Sequence, residues 1–218
     1  MDTIVISNLV KIQRIQSGID PVFAELVRIY IESHPESERK PASLLSSMIM
    51  RPEYLFLVAI QDKLVVGFSI TLCFLKSDAA LLEYMAVAPN RRGQGIGQNL
   101  FKETVKFEKA SERFILAEVD SDKRQMADIT DRTRRKNFYR RLGCREIDGL
   151  SYIMPPVSNS KPPAMDLLVY RRELPKTVEK KHLRAWLESC YIQVYGMTAS
   201  DSRIDRMLRN LPKHLRLI

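Results

Sequence analysis

The most regular pattern of apolar and polar positions lies between residues 54 and 87. Tyr54–Ile60 is a run of aromatic, β-branched and apolar residues, and Gln61-Asp62-Lys63 separates it from a second run, Leu64–Leu75. In the second run Val66, Phe68, Ile70, Leu72 and Phe74 recur at every other position, the period of a strand. The two runs predict a β-hairpin, and Ala80–Val87 predicts a third strand that ends before Pro89. Upstream, Lys11–Gln16 predicts a short first strand. Asp20 and Pro21 supply a cap and a first helical position, after which Phe23, Leu26, Val27, Tyr30 and Ile31 fall on one helical face. Pro35 stops that helix, and Pro41–Met50 predicts a second, short one.

After Pro89 the period changes. Asn90–Gly97 is a glycine-rich turn, and a helix carrying Leu100, Phe101 and Val105 follows. Phe114–Val119 predicts a buried strand, Ser121–Asp131 a polar loop, and Arg132–Leu142 a helix with Gly143 as its C-terminal cap. Arg145–Met154 and Met165–Tyr170 predict two closing strands joined by a proline-rich connection. From Thr177 the pattern is helical. Leu183, Trp186, Leu187, Cys190, Tyr191 and Val194 form an apolar stripe that ends at Gly196, and Ser200–Leu211 predicts a shorter helix. The order implies a mixed α/β domain over residues 1–174. A C-terminal helical extension, 175–218, packs its stripe on that domain or on a second subunit, so a homodimer is a candidate state.

With 218 residues, 45% of them hydrophobic, the chain can build one good-sized core. No apolar run approaches the ~20 residues that cross a bilayer. The first residues lack a basic region and a small-residue cleavage site, which leads to the expectation of a cytoplasmic protein with no membrane partner. Cys73, Cys144 and Cys190 are odd in number and far apart, and His34, His182 and His214 are scattered, so neither a disulfide framework nor a metal is expected. The net charge of +9 suits a polyanionic partner, either nucleic acid or a phosphorylated cofactor. No helix-turn-helix or aromatic-basic RNA motif is present, so nucleic acid is not expected, and most of the arginines and lysines read as solvated helix faces.

A strand that runs into a glycine-rich turn and then a helix is an anion site. Glycines let successive backbone N–H groups converge, and the helix N-terminus adds about half a positive charge. Arg91 and Arg92 add full charges beside it. A nucleotide P-loop requires Gly-Lys-Ser/Thr, whereas Gln98 follows Gly97. A dinucleotide fold requires Gly-x-Gly-x-x-Gly early in a βαβ unit, whereas the spacing here is Gly93-x-Gly95-x-Gly97 after a hairpin. Coenzyme A is the third candidate.

The stretch from Val87 to Leu100 resembles motif A of the GNAT acyltransferases. That family's signature, Gln/Arg-x-x-Gly-x-Gly/Ala, falls on Arg92-x-x-Gly95-x-Gly97, and the preceding hydrophobic-Ala-Val-x-Pro falls on Met85–Pro89. The element order is also the GNAT order, and the resemblance runs from about Lys11 to Tyr170. It implies a GNAT fold, with a central, mixed but mostly antiparallel sheet flanked by helices. It also implies N-acetyl transfer, or transfer of another acyl group, from acetyl-coenzyme A to a primary amine by direct attack in a ternary complex. Backbone N–H groups of Gly93, Gln94, Gly95, Ile96, Gly97 and neighbouring Gln98 would hold the pyrophosphate, Arg92 would add charge or brace the turn, and main-chain groups of Met85, Ala86 and Val87 would pair with the pantetheine arm as an added strand would.

A second stretch, Asn137–Cys144, resembles the family's motif B and places Tyr139 on the tyrosine that serves as general acid toward the coenzyme A sulfur. Cys144 replaces the usual Phe, Arg135 the Ala and Arg132 the Asn, so the pantetheine contact made by that Asn is not carried over. Two carboxylates stand in otherwise apolar strands: Glu83 and Glu118. A buried glutamate has a raised pKa suited to taking a proton from an amine near neutrality, and an ion pair with arginine is the competing role. Met48, Met50, Phe74 and Tyr84 are candidates for the acceptor pocket or for plain core. No cysteine stands in a nucleophile arrangement with histidine. Two alternatives stay open: a longer acyl-coenzyme A or acyl-carrier-protein donor, which positive charge would suit, and a coenzyme A-binding module without turnover. The acceptor ranges from a small amine or aminoglycoside-like compound to an amino acid or a protein amine.

Overall fold

The structure is a computed structural model that describes residues 10–107, 110, 112–123, 129–157 and 162–218. Among them run β1 (Lys11–Ile15), α1 (Pro21–Ser33), α2 (Ala42–Met48), β2 (Tyr54–Gln61), β3 (Leu64–Cys73), β4 (Ala79–Val87), α3 (Ile96–Lys106), β5 (Phe114–Asp120), α4 (Ile129–Arg141), β6 (Arg145–Glu146), β7 (Met165–Tyr170), β8 (Thr177–Glu179), α5 (Lys180–Gln193), α6 (Ser202–Leu208) and β9 (His214–Arg216). The first seven strands form one sheet in the order β1-β2-β3-β4-β5-β7-β6. Every neighbouring pair is antiparallel except β4 and β5, which are parallel and joined through α3.

Local chemistry accounts for most of these elements. The Asp20 carboxylate accepts from the Val22 N–H at 3.0 Å, capping α1 as expected. The β2–β3 hairpin turns on Asp62 and Lys63, both with positive φ, the backbone that a two-residue turn needs to match strand twist. Gly143, with φ of 97°, ends α4 in the left-handed conformation. One apolar position departs from the alternation. Phe68, Ile70, Leu72 and Phe74 share a core, but Val66 packs on the opposite face. The register slips from Ala59↔Gly67 to Ile60↔Val65, which leaves Val66 as the extra residue of a β-bulge.

Helices α3 and α4 cover one face of the sheet, and α1, α2, α5 and α6 contribute to the core on the other. The apolar stripe of α5 packs on this chain's own sheet, in one core with Phe74, Phe114 and Leu116. Polar contacts fix the helix there. Trp186 Nε1 donates to Asp78 at 2.7 Å, Ser189 Oγ meets Ser77 Oγ at 3.2 Å, and Tyr191 donates to the Ile153 carbonyl at 2.5 Å.

Three elements depart from the sequence pattern. The strand expected over 145–154 is only Arg145–Glu146. Beyond it, Ile147 bridges Leu217, and Gly149, with φ of 77°, turns the chain away. The tail opens with a strand, β8, that pairs with β9, and α6 is shorter than expected at seven residues. The polar loop expected over 121–131 and the proline-rich connection lie partly outside the described residues, and α4 already begins at Ile129.

Beneath α4 lies a charged cluster. Lys136, 1% exposed, bonds Asp166 at 2.7 Å and Asp122 at 2.8 Å and pairs with Glu146 at 3.1 Å, while Lys123 reaches Asp166 at 2.9 Å. Each buried charge has partners of opposite sign, the condition under which burial is tolerated.

Candidate active site

The centre of the sheet contains a built-in gap. Strands β4 and β5 pair only over Ala79↔Phe114 to Leu82↔Ala117. At the next residue the β3–β4 register slips, from Thr71↔Leu82 to Ile70↔Tyr84, so Glu83 is bulged and β4 turns away from β5. Beyond the bulge, Met85, Ala86 and Val87 pair with β3 on one side, and among the described residues no strand takes the other. Their outward main-chain groups form a free edge facing the gap.

That edge leads into the glycine turn. Gly93 and Gly95 have φ of 80° and 78°, the left-handed region that glycine enters without strain, and Gly95 is the N-cap of α3 with no side-chain cap. Among the described residues, the backbone N–H groups of Gly93, Gln94, Gly95, Ile96, Gly97 and Gln98 have no protein partner; the first N–H of this stretch to find one is that of Asn99, which donates to Gly95 at 3.0 Å. Unpaired donors at the positive end of an eleven-residue helix fit a phosphate group. Arg92 braces the turn, its Nε donating to the Val87 carbonyl at 3.2 Å. Arg91 points elsewhere, toward Gln61 at 3.5 Å and Asp62 at 3.9 Å. Gly97 is under no such constraint: a Cβ there would make ordinary van der Waals contact with the Phe138 ring at 3.4 Å and Val87 at 3.6 Å.

The two strand carboxylates lie on the same sheet face, close enough for the charge of Glu83 to help raise the pKa of Glu118. Their surroundings differ. Glu83 is ion-paired with Lys40 Nζ at 2.5 Å and accepts from the Tyr54 hydroxyl at 3.2 Å. Its competing role is therefore a lysine pair and not the arginine pair expected. Glu118 accepts from two phenols, Tyr195 at 2.5 Å on one oxygen and Tyr152 on the other. Burial raises its pKa, and the two hydroxyl donors only partly offset that rise.

Tyr139 is on the other face. Its ring packs edge-on to Phe101, with centroids 6.0 Å apart, and to Phe138 at 5.1 Å, in a cluster that includes Leu82 and Ala117, the last residues paired before the strands part. Burial raises its pKa, with neighbouring Cys144 adding to the effect. Burial also pushes the Cys144 thiol up to about 12, far from a nucleophile's range. Arg132 and Arg135, the replacements in the second motif, both pair with Asp120.

Of the acceptor-pocket candidates, Met48 and Phe74 are buried in the core and Met50 is 68% exposed. Tyr84 is buried, with its hydroxyl accepting from the Lys40 N–H at 3.3 Å. The sequence pattern does not mark Lys40, Tyr152 or Tyr195 as site residues. Tyr195 carried a signal, four residues beyond Tyr191 on the apolar stripe. Tyr152 falls inside the strand expected over 145–154, and Lys40 carries no signal. Among the described residues, no three His, Cys, Asp or Glu side chains converge as a metal site requires, and no helix is long and apolar enough to cross a membrane.

Known proteins share this fold. Two solved structures with similar folds are a protein from Bacteroides thetaiotaomicron assigned to the GNAT acetyltransferase family and the ribosomal-protein-S18-alanine N-acetyltransferase of Escherichia coli. The first has a TM-score of 0.69 and 23% identity over 86% of this chain and 99% of that one. The second has a TM-score of 0.52 and 18% identity over 77% and 99%. No curated protein matches the chain by sequence. Residues 52–146, from the start of the hairpin through the glycine turn to β6, match the family model of the acetyltransferase (GNAT) domain, and the chain has the GNAT fold.

Proposed function

We propose that this protein is an N-acyltransferase that moves an acyl group, most simply acetyl, from coenzyme A to a primary amine. The observation that carries the reading is the row of unpartnered N–H groups at residues 93–98, set at the end of the free β4 edge. The row fits a pyrophosphate and the edge fits an amide-bearing arm, which together describe coenzyme A. Arg92 holds the turn in shape, and Met85–Val87 supply the pairing edge.

Amine attack on a thioester needs a neutral amine, a place for the developing charge and a proton near the leaving sulfur. Glu118 is the better base of the two carboxylates. Its pKa is raised and no cation neutralises it among its hydrogen-bond partners, whereas Glu83 is committed to Lys40. In this reading Glu118 takes the ammonium proton, the amine nitrogen forms the C–N bond as the C–S bond breaks, and the second proton that the nitrogen sheds ends on the departing sulfur, which leaves an amide and a free thiol. Tyr139, from the opposite face, donates to the departing sulfur. Its raised pKa makes it a better hydrogen-bond donor to the thiolate than an outright proton source. Glu83 sets Lys40 and Tyr54 at the acceptor side. Holding amine and thioester together in the gap supplies much of the rate.

The test is a screen of amine acceptors with acetyl-coenzyme A, read by free thiol. Amine-dependent thiol release supports the reading. Tight coenzyme A binding with no release for any amine refutes turnover.

A further inference from the structure

We infer that the C-terminal segment completes this active site: Tyr195, just beyond α5, is a positioning residue that, with Tyr152, holds the Glu118 carboxylate in the orientation in which it takes the acceptor's proton. The inference rests on the acyl-transfer reading above. A glutamate on a strand beside an open gap has a free choice of rotamer unless something fixes it. Here each carboxylate oxygen has its own phenolic donor, one from residue 152 and one from residue 195. An ionised carboxylate has about four acceptor sites, so two donors fix its plane and leave sites for an amine proton.

One helix sets both donors. Helix α5 is fixed on the turn before β4 through Trp186–Asp78 and Ser189–Ser77, which places Tyr195 directly. Tyr191, on the same helix, bonds the Ile153 carbonyl at 2.5 Å and so holds the segment that carries Tyr152. The groups whose charge or hydrogen bonds act on Glu118 are Tyr152, Tyr195, Glu83 with its partner Lys40, and the buried Cys190 thiol on α5. The two phenols favour the charged form of Glu118, and the charge of Glu83 disfavours it. Removing a phenol therefore raises the pH at which Glu118 loses its proton.

The experiment compares pH–rate profiles of the wild-type chain, Tyr195→Phe, Tyr152→Phe, Glu118→Gln and the double variant Tyr195→Phe/Glu118→Gln. It uses acetyl-coenzyme A and one amine found active in the screen, with thermal unfolding as the folding control. Tyr195→Phe is expected to keep its KM for acetyl-coenzyme A and to lose roughly tenfold in kcat, the size of one hydrogen bond to a charged group. The acid limb of its kcat/KM profile moves to higher pH, Tyr152→Phe moves it the same way, and Tyr195→Phe adds no loss in the Glu118→Gln background. A folded Tyr195→Phe whose acid limb stays in place overturns the inference, as does an equal loss with and without Glu118. A wild-type chain that releases no thiol with any amine overturns the acyl-transfer reading itself, and this inference with it.

Discussion

Trp186 Nε1 donates to the Asp78 carboxylate at 2.7 Å across 108 positions of chain, joining the C-terminal helix to the turn that opens β4. The indole is fully buried against Phe114, with ring centroids 4.8 Å apart. Replacing Trp186 with Ala is expected to cost about 3–5 kcal/mol in urea unfolding, the usual penalty for an emptied aromatic site. Ending the chain after Pro175 should expose the apolar sheet face around Phe74 and Leu116 and give aggregation or an early thermal transition. A truncated protein that runs as a monomer with an unchanged midpoint would refute this.

Gly95→Val tests the anion site. The position has open space for a side chain, but its φ of 78° does not suit a β-branched residue. Strain of roughly 1–3 kcal/mol must be relieved by moving the turn, which misaligns the N–H row. Calorimetric titration should show coenzyme A affinity falling roughly 5- to 150-fold, the equivalent of that energy. Unchanged affinity in a folded variant places the pyrophosphate elsewhere.

Tyr139→Phe separates chemistry from packing. The ring stays between Phe101 and Phe138 and only the hydroxyl is lost. Binding of acetyl-coenzyme A should hold while kcat falls by roughly 10²-fold, the low end for losing a donor to a charge that develops in the transition state. Loss of stability at unchanged turnover would leave the residue a packing tyrosine.

The charged cluster under α4 makes stability depend on pH at both ends. Burial alone would raise the Asp166 and Glu146 carboxyls, but hydrogen bonds from Lys136, Lys123 and Arg140 outweigh it and hold both below their ordinary values of 3.8 and 4.5. Their contribution is complete above those values and is lost as pH falls through the lower, folded ones. Lys136 and Lys123 shift the other way. Burial lowers them, the carboxylate bonds raise them further, and their contribution is lost only as pH climbs beyond 10.5. Thermal midpoints measured across pH should stay flat near neutrality and drop in acid. Lys136→Ala removes the buried cation that Asp122, Glu146 and Asp166 share, leaving Lys123 and Arg140 to hold the latter two, and should cost about 3–5 kcal/mol at pH 7. A variant of wild-type stability would show that water satisfies those carboxylates.

The sequence made the hairpin, β4, the glycine turn and α3 legible because each is governed by neighbours in the chain: alternation from Phe68 to Phe74, Pro89 after the strand, Gly95 before the helix. It misplaced Val66 because a bulge is a property of two paired strands, and one strand's pattern does not reveal where the partner slips. It overextended β6 because Ile147 takes its partner from Leu217, seventy positions on. The same distance hid the surroundings of the carboxylates. Glu83 and Glu118 stood out as charges in apolar strands, but their partners Lys40, Tyr152 and Tyr195 come from elements that only the folded chain brings to them.

The parallel joint between β4 and β5 is four residue pairs long, Ala79–Leu82 against Phe114–Ala117, and among the described residues it is the only strand pairing between two antiparallel halves. Each half is stiffened by its own ladders, so the softest deformation of the sheet is a rocking of one half against the other about this short seam. Such rocking alters the width of the mouth while leaving every antiparallel register intact. The bases of both carboxylates ride on opposite leaves, Glu83 on one and Glu118 on the other, so the same motion sets the distance between them.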